Sequence, residues 1–399
     1  MTNDAARADG ALTIEPPVGL LAELTHRCPL QCLYCSNPLE LDRASAELPT
    51  EMWLDIFRQA AELGILQLHL SGGEPTARKD LERLVAGASG AGLYTNLITA
   101  GVSLSSERVH ALAAAGLDHV QVSLQDTTED GSAAVSKYRD GLGRKLAAAA
   151  AVREAGLALT VNAPVHRLNL DRLPDMIDLA VSLGADRLEV AHVQYHGWAL
   201  HNRAALMPTR EQVERSTEVV SAARNRLRGV LAIDFVVPDY YAVRPKPCMG
   251  GWGRRFMVVT PAGKILPCHA AQSIPGLDFD SVRDRSLHDA WFRGSTFQAF
   301  RGTAWMKTPC RSCPQREIDF GGCRCQAFAL TQDAANADPV CALSAHHAHL
   351  AELLARTPDA RNVPKAYRSP RPSSAGETFR SPVMKTSNEG PRAEVTDET

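Results

Sequence analysis

Five helix-length segments in the first half of this chain each run into a glycine. The segments are 51–63, 80–91, 107–115, 142–155 and 171–183, followed by Gly64, Gly92, Gly116, Gly156 and Gly184. Glycine just past a helix end accepts the left-handed conformation that stops a helix, and Thr50 is placed to cap the first one. Apolar runs at 19–24, 67–71, 94–100, 119–124, 158–164 and 187–192 lie between them as strand candidates. Strand–helix alternation of this length predicts an α/β fold with a parallel sheet and right-handed crossovers. About six such units form either a partial barrel or an open doubly wound sheet. In both, ligands sit at the C-terminal ends of the strands.

Thr209-Arg-Glu-Gln212 is a capping box that opens a further helix to about residue 228, and a short strand is expected at 231–237. Residues 1–17 read as a flexible, polar lead-in ending in Pro16-Pro17, residues 18–235 as the barrel-like domain, and 236–356 as a cysteine-rich domain. Beyond 357 the chain turns rich in Pro, Ser, Thr and charge, and 357–399 is expected to be a disordered tail.

Composition narrows the function class. A net charge of -2 implies no nucleic-acid partner. No stretch is long and apolar enough to cross a membrane, and the first residues lack an apolar signal core. The expected location is therefore cytoplasmic. In a reducing compartment ten cysteines serve metal or redox work and not a disulfide framework.

The first three cysteines lie in Thr25-His-Arg-Cys-Pro-Leu-Gln-Cys-Leu-Tyr-Cys-Ser36, after the first strand candidate. Cys28, Cys32 and Cys35 can hold three irons of a [4Fe–4S] cube and leave the fourth iron open to a small molecule. The alternative is a zinc knuckle, which needs a fourth ligand nearby, and His26 is the nearest candidate. Ser71-Gly-Gly-Glu-Pro75 closes the second strand candidate, where adjacent glycines let backbone approach a ligand closely.

The triplet and the Gly-Gly-Glu-Pro segment together resemble the radical S-adenosylmethionine (SAM) enzymes. The resemblance favours a partial (β/α)6 TIM barrel. It implies that SAM chelates the open iron, that Tyr34 lies near the adenine, and that Gly72, Gly73 and Glu74 grip the amino group. The implied chemistry is reductive cleavage of SAM to a 5′-deoxyadenosyl radical that abstracts hydrogen from substrate. Ser123 and Asn162, at the ends of later strands, are candidates for the ribose or the methionine carboxylate. Otherwise they satisfy core hydrogen bonds.

The other seven cysteines are Cys248, Cys268, Cys310, Cys313, Cys323, Cys325 and Cys341. Their order resembles the SPASM domain of peptide-modifying radical SAM enzymes, except that Asp319 stands where that pattern has a cysteine. The resemblance implies two auxiliary clusters. One is held by Cys310, Cys313, Asp319 and Cys341, the other by Cys248, Cys268, Cys323 and Cys325, which accounts for all ten thiols. One would be [4Fe–4S]; for the second the choice between [2Fe–2S] and [4Fe–4S] stays open. Two structural zincs are the alternative, and Asp319 is otherwise a solvated loop residue.

Two stretches, Ala191-His-Val-Gln-Tyr-His-Gly-Trp-Ala-Leu-His-Asn-Arg-Ala-Ala-Leu-Met-Pro208 and Ala334-Ala-Asn-Ala-Asp-Pro-Val-Cys341, are similar to the peptide cyclases of pyrroloquinoline quinone (PQQ) biosynthesis. This implies a carbon–carbon bond between a glutamate side chain and a tyrosine ring of a PqqA precursor peptide. It also implies a PqqD-like peptide chaperone and a flavodoxin-like electron donor. Gln194, Tyr195 and His196 follow the last barrel strand and are candidate substrate contacts. An aromatic loop can seat a tyrosine and a His can take its proton, while the plainer reading is loop packing. Rival readings are another SPASM peptide maturase, thioether-forming or sulfatase-maturing, and a non-enzymatic iron–sulfur redox protein.

Overall fold

The structure, a computed structural model, describes residues 14–237, 239–355 and 363–368. Most of the expected flexible N-terminus (1–13) and of the expected disordered tail (357–362 and 369–399) lies outside the described residues.

Seven strands form a parallel run: β1 (Gly19–Thr25), β2 (Gln67–Gly72), β3 (Tyr94–Thr99), β4 (His119–Ser123), β5 (Ala158–Val165), β6 (Arg187–His192) and β7 (Ala232–Val236). Helices α1 (Thr50–Glu62), α2 (Leu81–Gly90), α3 (Ser106–Ala114), α4 (Glu129–Ser136), α5 (Gly141–Glu154) and α6 (Leu173–Ser182) connect them. The short α7 (Gly197–His201) and α8 (Arg203–Leu206) and the long α9 (Arg210–Arg226) follow β6. All five punctuating glycines take positive φ, between +62° and +95°. The capping box at Thr209 and Gln212 is formed on both sides. Thr50 does not cap α1. Pro49 holds that place, and the Thr50 hydroxyl donates to Asp80 at 2.6 Å, which ties α1 to α2.

The strand order is β7-β6-β5-β4-β3-β2-β1-β8-β9. β8 (Phe256–Val259) lies parallel to β1, and β9 (Ile265–Leu266) pairs antiparallel with β8. The sheet therefore runs through the boundary expected near residue 235. Gly19 makes the join possible, because a Cβ there would sit 2.6 Å from the Phe256 ring.

Alternation divides the sheet into two faces. Leu20, Leu24, Leu68, Leu70, Leu97, Leu159 and Leu188 are fully buried in one hydrophobic core; each such side chain stabilises by about 2 kcal/mol. The other face is polar. There His69 hydrogen-bonds Asn96 at 3.1 Å, His119 meets Thr160 at 2.8 Å, and Gln121 and Asn162 both donate to Glu189. A polar inner face suits a lumen built for ligand.

The remaining helices are α10 (Leu287–Arg293), α11 (Ser295–Gln298), α12 (Arg316–Asp319), α13 (Arg324–Thr331) and α14 (His347–Ala355). α10 docks on the barrel: Gln59 of α1 accepts from the Leu287 N–H at 2.9 Å. Trp291 of α10 donates to the Glu15 carbonyl at 2.8 Å, and Ile14 packs on the core, so 14–17 is anchored against expectation. No helix among the described residues is long and apolar enough to cross a membrane.

Candidate active site

Beyond β1 the cysteine loop is fastened along its backbone. The Gln31 and Leu33 N–H groups donate to Ser136 and Val135 at the end of α4 (2.8 and 3.1 Å). The Gly73 N–H donates to Thr25 and the Glu74 N–H to Arg27 (2.6 and 2.8 Å), joining the Gly-Gly-Glu segment to the loop. Both glycines are needed for this. A Cβ on Gly72 would lie 2.4 Å from the Thr25 oxygen, and one on Gly73 would lie 2.5 Å from the Arg27 oxygen.

The three thiols line one cavity at the C-terminal ends of the strands, with Tyr34, Ser71, Gly72, Gly73, Ser123 and Gln125. Burial pushes Cys28 up to about 11 and Cys32 to about 12, and raises Cys35 as well. Bare thiols here stay protonated, so the anionic form needs positive charge such as iron. His26 does not complete a zinc tetrahedron. Its Nδ1 accepts from the Asp42 N–H at 2.9 Å and its Nε2 faces Glu23 at 3.7 Å. Gln125 donates to the Tyr34 hydroxyl at 2.8 Å, while its own Oε1 is buried with no partner among the described residues. An orphaned acceptor beside an aromatic ring and cavity-lining glycine backbone fits a polar, nucleoside-bearing ligand.

Two expected cavity contacts sit elsewhere. The Glu74 carboxylate is buried behind the wall, where it accepts from Thr76, Thr99 and the Ala100 N–H at 2.7–3.1 Å. It shapes the loop. Asn162 does not line the cavity; its amide donates to Glu189 at 2.7 Å. Lys145 was not anticipated. From α5 its Nζ donates to the Ala100 and Ser123 carbonyls at 2.6 and 2.9 Å, and burial lowers it to about 8. The signal was a lone lysine in the alanine-rich segment of α5.

The segment after β6 also departs from expectation. Tyr195 is buried against Tyr240, ring centroids 4.9 Å apart, and burial raises its phenol well above the usual range. Gln194 is exposed. His196 lies close enough to the Cys323 thiol to help hold it low, behind the larger effects of Cys248 and Cys325. Two residues on, the Trp198 N–H donates to the Cys35 carbonyl at 3.1 Å. Gly197 fits between them because a Cβ there would lie 2.6 Å from the Asn37 oxygen.

The other seven cysteines lie in two neighbourhoods. Cys248, Cys268, Cys323 and Cys325 lie close enough together to shift one another's titration. Donation from Cys248 in the first place holds Cys268 and Cys323 low, while Cys248 and Cys325 are raised. Cys310, Cys313, Asp319 and Cys341 line a second small cavity. One Asp319 oxygen accepts from the Gly321 N–H at 2.9 Å. Arg324 is buried near both groups: its charge acts on Cys323, Cys248 and Cys310, and it stacks on Trp305 at 4.7 Å. Asp338 accepts from the Cys323 and Val340 N–H groups at 3.0 Å each, and burial raises it to about 6.

The profile of the Radical SAM superfamily matches residues 22–180, and that of the SPASM iron-sulfur cluster-binding domain matches 248–314. The PqqA peptide cyclase of Methylocella silvestris is 60% identical over 339 residues, 85% of this chain and 91% of that protein. The PqqA peptide cyclase of Bradyrhizobium diazoefficiens is 60% identical over 84% of this chain and 89% of its own. The chain belongs to the PqqA peptide cyclase family of radical SAM enzymes. Its fold is shared with Streptococcus suis SuiB bound to S-adenosylmethionine, at TM-score 0.69 and 21% identity over 82% of this chain and 77% of that one. SuiB has also been solved bound to its precursor peptide SuiA, at TM-score 0.67 and 20% identity over 82% and 76% of the two chains. Iron–sulfur clusters and SAM are thus the cofactors of this family member.

Proposed function

We propose that this enzyme joins a glutamate side-chain carbon to a tyrosine ring within a PqqA precursor peptide, a step in PQQ biosynthesis. The observation that carries the reading is the cavity where three half-buried thiols meet Gly72, Gly73, Tyr34 and the orphaned Gln125 oxygen. Around 60% identity to PqqA peptide cyclases over most of the chain supports the substrate.

Cys28, Cys32 and Cys35 would hold a [4Fe–4S] cluster, with Tyr34, Gly72, Gly73, Ser123 and Gln125 around SAM; bound there, the two supply a hydrogen-abstracting radical. Burial of the thiols and the cavity wall exclude water from that centre. The polar inner face of the sheet, from His69 to Glu189, offers hydrogen bonds to an extended peptide.

The cross-link removes two hydrogens. One leaves the glutamate side chain as an atom. The other leaves the tyrosine ring as a proton and an electron, which restores aromaticity. Cys248, Cys268, Cys323 and Cys325 would hold one auxiliary cluster, either [2Fe–2S] or [4Fe–4S]. Cys310, Cys313, Asp319 and Cys341 would hold the other. His196 lies beside Cys323 and follows β6 near the strand ends, so it stands between substrate and an electron acceptor. A PqqD-like chaperone, a flavodoxin-like donor and a cytoplasmic setting belong to this reading.

Anaerobic incubation of the reconstituted enzyme with reductant, SAM, precursor peptide and chaperone tests it. The expected product is a peptide lighter by two hydrogens with glutamate and tyrosine linked on fragmentation. 5′-Deoxyadenosine with an unchanged peptide would discard the substrate, and a thioether-linked product would move the enzyme to another maturase class.

A further inference from the structure

Residues 366–368 lie far along the chain from the barrel, yet they close its catalytic loop. Arg368 is 2% exposed and lines the cavity of the three cysteines. Its Nη1 donates to the His26 carbonyl at 3.2 Å, and its Nη2 to the carbonyls of Cys28 and Leu30 at 2.9 and 2.7 Å. Three carbonyls of one loop thus point at one guanidinium. A planar fork can serve several acceptors at once and keeps its charge at any working pH.

The segment is anchored on both sides. Ala366 exchanges two hydrogen bonds with the Asn202 amide: its N–H donates to Oδ1 at 2.8 Å and its carbonyl accepts from Nδ2 at 2.7 Å. The same Nδ2 donates to the Leu33 carbonyl at 2.9 Å, so Asn202 pins strap and cysteine loop together. The Tyr367 hydroxyl donates to the Ala134 carbonyl at 2.8 Å, and Lys137 sits 4.4 Å over its ring. The disordered-tail expectation fails for this stretch.

We propose that residues 366–368 form a strap over the catalytic cysteine loop, with Arg368 as a positioning residue that fixes the loop carbonyls and places a permanent positive charge beside the iron–sulfur cluster. The proposal rests on the radical SAM reading of this cavity. Three thiolates make the cluster anionic overall, and it becomes more so on reduction. A buried cation at this distance favours the reduced form and raises the reduction potential. The charge of Arg368 already acts on Cys28 and Cys35, lowering both against the effect of burial. The three carbonyl bonds hold the loop so that the thiols stay in place when iron leaves or enters.

The test compares full-length Arg368→Gln and Arg368→Lys with the parent after reconstitution. Redox titration followed by electron paramagnetic resonance reads each cluster, and a chelator challenge reads iron retention. Arg368→Gln should show a lower potential at the catalytic cluster and faster iron loss there. 5′-Deoxyadenosine formation should slow by about tenfold, the effect of weakening one charge-assisted contact set. The auxiliary signals should not move, which certifies the fold. Arg368→Lys should regain most of the potential while still losing iron faster than the parent. Parent-like potential and iron retention in Arg368→Gln would overturn the proposal, as would equal drops in both variants. A parent protein that binds no iron at Cys28, Cys32 and Cys35 would instead fail the site reading itself.

Discussion

His196 lies beside the Cys323 thiol and helps hold it low, and two residues later the Trp198 N–H donates to the Cys35 carbonyl at 3.1 Å. One short segment therefore touches both a catalytic cysteine and an auxiliary one. A donor to a ligating sulfur withdraws charge and raises a cluster's potential. His196→Ala should lower the potential of the four-thiol cluster. 5′-Deoxyadenosine should still form while cross-linked peptide falls by about tenfold, the scale of a lost hydrogen bond to a charged group. Quantifying both products in one reaction checks the split; equal loss of both would place His196 in SAM cleavage instead.

Gln125→Leu removes the donor to the Tyr34 hydroxyl and the buried free acceptor. The KM for SAM should rise about tenfold, matching the ~1–3 kcal/mol of a lost buried hydrogen bond, with kcat little changed. Steady-state kinetics at saturating peptide measures it.

Gly73→Ala drives a methyl to within 2.5 Å of the Arg27 oxygen and 2.7 Å of the His26 carbonyl. Backbone cannot yield as a side-chain tip does. The variant should keep its auxiliary clusters and lose iron at Cys28, Cys32 and Cys35, as iron analysis with spectroscopy would show.

Asp319 is a harder donor than a thiolate and delocalises less charge. Asp319→Cys should shift the potential of one auxiliary cluster and leave SAM cleavage competent. If every potential stays put, Asp319 is not a ligand.

Burial holds His166 down to about 3 and His192 to about 4, both from 6.5. Lys246 adds to the lowering at His192; at His166 Arg172 and His192 add to it, and Asp126 opposes it. The folded values lie below the unfolded one, so unfolding takes up protons as the pH falls from 6.5 towards 4. Stability is full above pH 6.5 and drains through that window. Denaturant melts across it should show the fall, and His192→Gln should flatten it.

Much of this was legible in the sequence. The glycine punctuation placed β1 to β6 and helices α1, α2, α3, α5 and α6 within about two residues, because a helix stop is a local backbone event, while α4 carried no such mark. The spacing of Cys28, Cys32 and Cys35 marked one group of thiols, which line one cavity, while the sorting of the other seven came from the resemblance to the SPASM domain. What it could not show was long-range. β8 joins β1 across more than two hundred residues, and Arg368 reaches Cys28 across |i−j| = 340. Nothing local in a Pro- and Ser-rich segment marks one arginine as buried. Nor does an aromatic loop declare which ring faces substrate. Tyr195 was expected there and packs on Tyr240, while the alternating register at the end of β4 held the better signal in Gln125.

Peptide carrying deuterium on the glutamate side chain tests the central claim most directly. After anaerobic turnover, mass spectrometry of the released 5′-deoxyadenosine should find deuterium, and the peptide should carry a glutamate–tyrosine link that has lost it. Unlabelled 5′-deoxyadenosine alongside unlinked, fully deuterated peptide would contradict the assignment.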